Sequence, residues 1–114
     1  MLYVVAKKTN VSLANLSQDD RDVVRQCLRA AVEGPFFPDW EFHTLFGLDR
    51  SEVRTVLGGW PDLDESNNSV RLAINNSFAN LLGYPHGCES QWSQFISASG
   101  SDVSRIFNLW RGDV

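Results

Sequence analysis

The chain predicts a mainly α fold, a compact single domain of about five to six short helices, and three observations carry that expectation. Apolar residues recur at three- and four-residue steps along most of the sequence. Helix-starting Ser and Asp residues stand just before several of those stretches, and glycine or Gly-Pro stands just after them. The length, 114 residues, corresponds to one domain, so residues 1–114 are expected to form one unit. Surface scaling for 12.8 kDa gives about 6,300 Å² folded against about 18,600 Å² unfolded, enough burial for a core without staples.

Residues Leu2 to Val5 are apolar and β-forming and suit a short N-terminal strand, although the chain offers few partners for it. The first clear helix runs from about 18 to 33. Ser17 is placed to cap it, Asp19 and Asp20 favour its positive end, and Val24, Cys27, Leu28, Ala31 and Val32 form its inner stripe. Gly34-Pro35 should end it, with the glycine in a left-handed cap, before the aromatic connector Pro35-Phe36-Phe37-Pro38. Asp39 is expected to cap a short helix from Trp40 to Phe46, closed by Gly47. Asp49 and Glu52 have capping-box spacing for a third helix, stopped by Gly58-Gly59.

After the acidic turn Pro61-Asp62-Leu63-Asp64-Glu65, a longer helix over about 67–82 should bury Val70, Ala73, Ile74, Ser77, Phe78, Leu81 and Leu82, with Gly83 at its end. Trp92, Phe95 and Ile96 fit a helix or an extended segment. Ser101 is placed to cap a final helix carrying Val103, Ile106, Phe107 and Trp110, with Gly112 beyond it. Short connections favour steep packing angles over a regular four-helix bundle.

Composition excludes several function classes. At 43% hydrophobic and 11% aromatic the chain is too apolar for disorder, and no apolar run nears the roughly 18–20 residues of a membrane span. The charge at the N-terminus follows the apolar run, the reverse of a signal peptide, so a cytoplasmic protein is expected. Cys27 and Cys88 read as reduced structural thiols. A net charge of −4 disfavours nonspecific phosphate binding and so makes nucleic acid a disfavoured partner.

Several motifs bear on chemistry. Residues 42–57 outline a helix-turn-helix in which Arg50, Ser51 and Arg54 would face a DNA groove. Against that stand His43 at a position that usually holds a small residue, Glu52 facing phosphates, and the acidic chain. Arg21, Arg25 and Arg29 form one stripe, with Asp22 and Glu33 as natural ion partners. Asp62 to Asn67 begins like a calcium loop but has Asn67 where glycine is needed and Ala73 where a bidentate glutamate is needed. Cys27, His43, His86 and Cys88 lack zinc-site spacing, and a Cys88 nucleophile served by His86 or His43 has no motif behind it. Asn75, Asn76 and Asn80 are poor helix formers whose presence suggests hydrogen bonds to neighbouring turns. Trp40, Trp92 and Trp110 read as core by their spacing, and Trp60 in Gly-Gly-Trp-Pro reads as core or as an exposed anchor.

The run Asp39 to Gly47, then Arg50, Glu52-Val53-Arg54, Trp60-Pro61, Ala73-Ile74-Asn75-Asn76 and Leu81-Leu82-Gly83-Tyr84, resembles a family of small uncharacterised bacterial proteins over about 40% of the chain. The resemblance implies a bacterial cytoplasmic origin and brings no activity or catalytic residue with it.

No acid, base and nucleophile share a spacing that a reaction demands, so no enzyme, metal or cofactor is expected. The expected function is a non-enzymatic protein-binding module, most concretely a bacterial toxin-neutralising, immunity-type protein. Its acidic surface, Asp62, Asp64 and Glu65 with Trp60, would meet a cationic toxin or nuclease domain. The alternative is the DNA-binding regulator through residues 42–57. The oligomeric state is not written in the sequence.

Overall fold

Over residues 11–112, which a computed structural model describes, six α-helices and two 3₁₀ turns follow one another without a strand. The fold is mainly α, as the apolar spacing requires. The strand expected at Leu2–Val5 lies outside the described residues. The helices are α1 (Gln18–Glu33), α2 (Asp39–Phe46), α3 (Arg50–Gly58), α4 (Asn68–Gly83), α5 (Trp92–Phe95) and α6 (Gly100–Arg111), with 3₁₀ turns at Leu13–Asn15 and Glu89–Gln91.

The two 16-residue helices, α1 and α4, form the centre. They pack on each other, α3 packs on both, α2 and α6 lie on α4, and α5 lies on α1. Each begins as its capping chemistry dictates: Ser17 Oγ accepts from Asp20 N at 3.1 Å, and Asn67 Oδ1 accepts from Ser69 N at 2.8 Å. The core between them is apolar except for Ser77, whose buried hydroxyl has no hydrogen-bond partner among the described residues. Leu28, Ala31, Phe46, Val53, Ile74, Phe78 and Val103 are fully enclosed, and Phe42 stacks on Phe46 while Phe78 stacks on Phe107. Phe36 and Phe37 of the connector are also buried, Phe36 edge-on to His86, Trp92 and Phe95.

Two helices, α1 and α2, receive their end caps from side chains distant in sequence. The Arg50 guanidinium donates to the carbonyls of Ala31 at 2.9 Å and Val32 at 3.3 Å, in the last turn of α1, and to Phe37 O at 2.7 Å. Helix α1 has no basic residue in that turn, so Arg50 satisfies carbonyls that would otherwise be orphaned. Asn76 Nδ2 donates to Phe46 O and Asn80 Nδ2 to Leu45 O, closing α2 in the same way. These bonds offset the helix-propensity cost of the asparagines, as the sequence suggests.

Several local expectations need correction. Gly34 is extended, with φ −85°, and its role is close approach: a Cβ there would meet Ala30 O at 2.6 Å and the Phe36 ring at 2.9 Å. Gly47 does take the left-handed cap, with φ 69°. Asp39 lies inside α2, whose cap is Pro38 with no side-chain bond, and its carboxylate turns to Arg50 instead. Ser99, not Ser101, caps α6. Helix α4 runs through Gly83 and stops at Tyr84, because a residue before proline is pushed out of helical geometry. Leu82, expected inside, is 38% exposed.

Candidate functional site

The acidic turn divides into two halves that face different ways. Asp62 and Asp64 line a groove of about 350 Å³ between α3 and the start of α4, together with Glu52, Thr55, Val56, Leu63, Asn67 and Val70. The capping box of α3 positions Glu52: its Oε1 accepts from Asp49 N at 2.8 Å while its body reaches the groove. Asp64 is held by Ser66, whose hydroxyl and backbone N–H both donate to its Oδ1. These bonds, the hydroxyl first, hold the Asp64 carboxyl below its usual range, so it stays charged in mildly acidic solution. Among the described residues no Lys or Arg lines this groove, and Glu52, Asp62 and Asp64 form no ion pair.

Glu65 behaves differently. Both its oxygens accept from Leu13 N, at 3.0 and 3.1 Å, and Oε1 also accepts from Trp110 Nε1 at 3.1 Å. The carboxylate ties the turn to the chain's first 3₁₀ segment and to α6, which makes it a structural clasp rather than an offered charge. Trp60, half-buried against the core, lines a separate cavity of about 240 Å³ with Glu65, Arg21 and Gln18. The four residues read from sequence as one patch therefore lie on two faces, Asp62 and Asp64 on one, Trp60 and Glu65 on the other.

A second acidic cleft, of about 360 Å³, lies between α1 and α6 around Asp19, Asp20, Asp22 and Asp102. It carries its own cation. Arg105 donates to both oxygens of Asp20, at 3.1 and 3.2 Å, and stands 3.7 Å from Asp102. The groove at Glu52, Asp62 and Asp64 has no such neighbour, and that distinguishes it.

The remaining candidates find ordinary places. Of the helix-turn-helix residues, Arg50 points inward onto carbonyls and over the Phe42 ring, while Ser51 and Arg54 are exposed. Two arginines of the α1 stripe are paired as their spacing predicts, Arg25 with Asp22 and Arg29 with Glu33, whereas the buried Arg21 Nε has no hydrogen-bond partner among the described residues. Cys27 and Cys88 are both free thiols. Burial pushes the Cys27 thiol up to about 12, so it stays protonated and inert. His86 accepts from Cys88 N at Nδ1 and faces Leu81 O at Nε2, so both ring nitrogens are occupied. His43 pairs instead with Asp49 at 2.9 Å. Among the described residues no three His, Cys, Asp or Glu side chains are grouped to hold a metal ion, and no helix is long and apolar enough to cross a membrane.

Sequence reasoning missed one residue outright. Trp40, read as core, is 81% exposed on the outer face of α2. Apolar periodicity gives the wrong answer there because Phe42 and Phe46, not Trp40, fill the inner side of this short helix. The signal was available beside it: Trp40 stands between Asp39 and Glu41, two carboxylates in the first turn of the helix.

Compared with protein families, curated proteins and solved structures, the chain matches none, so no activity comes to it from a relative.

Proposed function

We propose that this protein is a non-enzymatic protein-binding module, of the toxin-neutralising, immunity type, that covers a cationic surface on its target. The observation that carries the reading is the groove of Glu52, Asp62 and Asp64, which gathers three carboxylates without a cation among its lining residues. Charges left unpaired by the fold cost little in water and become favourable when a basic surface meets them, and they speed encounter over longer range than any apolar contact. The hydroxyl and amide of Ser66 fix Asp64 in place beforehand, which reduces the ordering needed on binding.

The test is kinetic. Capture from the native cells should return one stoichiometric basic protein, and its association with the double variant Asp62→Lys/Asp64→Lys should slow by roughly tenfold or more at low salt. Glu65 is left intact, because its carboxylate holds the fold together. An unchanged association rate overturns the groove as the contact surface. Tight, steeply salt-dependent binding to duplex DNA in the same assay would instead favour the helix-turn-helix reading through Ser51 and Arg54.

A further inference from the structure

The acidic groove does not stand alone on its side of α3. Trp40 and His43 are one helical turn apart on the exposed face of α2. His43 Nδ1 meets Asp49 Oδ1 at 2.9 Å, and Asp49 N donates to Glu52 Oε1 at 2.8 Å. Glu52 lines the groove that holds Asp62 and Asp64. Each step is a hydrogen bond or a single helical turn, so an exposed indole joins the groove by a continuous polar path that adds one carboxylate, Asp49, to the three of the groove. On its other side Trp40 follows Asp39, whose side chain is 93% exposed although one oxygen is taken by Arg50.

From this continuity we infer that Trp40 is the anchor of the same interface and that an arginine side chain of the basic partner occupies it. The inference rests on the protein-binding reading of the groove. The occupant follows from charge and shape. An indole face attracts a cation through its quadrupole, and arginine is the cation that also stacks flat on it while its fork reaches a carboxylate. Asp39, beside the indole, keeps one oxygen that accepts no bond among the described residues, and the groove carboxylates Glu52, Asp62 and Asp64 meet no cation, so the surface around Trp40 favours a basic occupant over an acidic one. A purely apolar partner would desolvate the groove carboxylates Glu52, Asp62 and Asp64 without supplying a cation. Trp40 is also the type of residue that dominates binding energy at interfaces, where tryptophan and arginine are enriched.

The probe is a twelve-residue alternating Arg-Gly peptide, titrated at 150 mM salt onto the full chain and followed by tryptophan emission and the Trp40 indole N–H resonance. Four proteins are compared: the parent, Trp40→Leu, Trp40→Phe and Asp62→Asn/Asp64→Asn. Trp40 is solvent-exposed, so the leucine variant should melt with the parent, and that is checked first. The expected result is that Trp40→Leu binds roughly threefold to tenfold more weakly, Trp40→Phe recovers most of the loss, and the groove variant weakens binding separately. Loss in the groove variant with no loss in Trp40→Leu overturns the Trp40 anchor and leaves the groove reading standing. Equal loss in Trp40→Leu and Trp40→Phe also overturns it, since a π face would then contribute nothing. A parent that fails to bind the peptide at all overturns the groove reading, and the anchor with it.

Discussion

Asp62 and Glu65 stand three residues apart in one acidic turn, yet the fold uses them in opposite ways. Glu65 is drawn inward and accepts from a backbone amide and an indole more than forty residues away on either side. Asp62 and Asp64 face the groove, where no cation meets them. The same contrast runs through α3. Arg50 is consumed by carbonyls at the end of α1, while Arg54, one turn later, is exposed. Charge of one sign in one segment is thus no guide to purpose; what separates structure from recognition is whether the fold supplies a partner.

That contrast can be broken most directly at Glu65. Glu65→Ala strands the Leu13 amide and the Trp110 indole N–H and should cost about 2–4 kcal/mol of unfolding free energy, whereas Asp62→Asn/Asp64→Asn should stay within about 0.5 kcal/mol. Urea denaturation of the two variants checks it, and equal effects would erase the distinction. The arginine pair gives the next largest difference. Arg50→Ala should cost about 2–3 kcal/mol through three lost carbonyl bonds and the Phe42 contact, and Arg54→Ala about 0.5 kcal/mol or less, read from the same melts.

A pH-dependent effect extends the comparison to the thiols. Cys27 in the fold ionises only at about 12, while an unfolded thiol ionises near ~8.5. The unfolded chain therefore releases its proton first as the pH rises. Stability is unaffected by this group below that range and falls from about pH 9 upward, as linkage requires. Cys27→Val should flatten that part of the pH–stability curve, read from urea melts repeated above about pH 9.

How much of this was legible in the sequence depends on how local the cause is. Ser17 and the Asp49–Glu52 box act within one turn, and spacing alone located the helices they start. Asn76 and Asn80 announced unusual hydrogen bonds by their poor propensity, though not the carbonyls they would reach. Glu65 and Arg50 gave no such signal, because their partners are brought to them only by packing. Trp40 was misread for a related reason: an eight-residue helix has room for one narrow inner stripe, and two phenylalanines already fill it. At the acidic turn the exposure of Asp62 and Asp64 was legible from their place in a turn, and the inward reach of Glu65 was not.

The ties on α2 have a mechanical consequence. Asn76 and Asn80 hold its carbonyl end, Tyr84 donates to Glu41 near its start at 2.8 Å, and Arg50 grips Asp39. A segment of only eight residues, too short to persist as a helix in isolation, is clamped from three directions. Its outward indole is therefore displayed on a stiff mount, and a visitor landing there would have to freeze little beyond the ring's own two torsions.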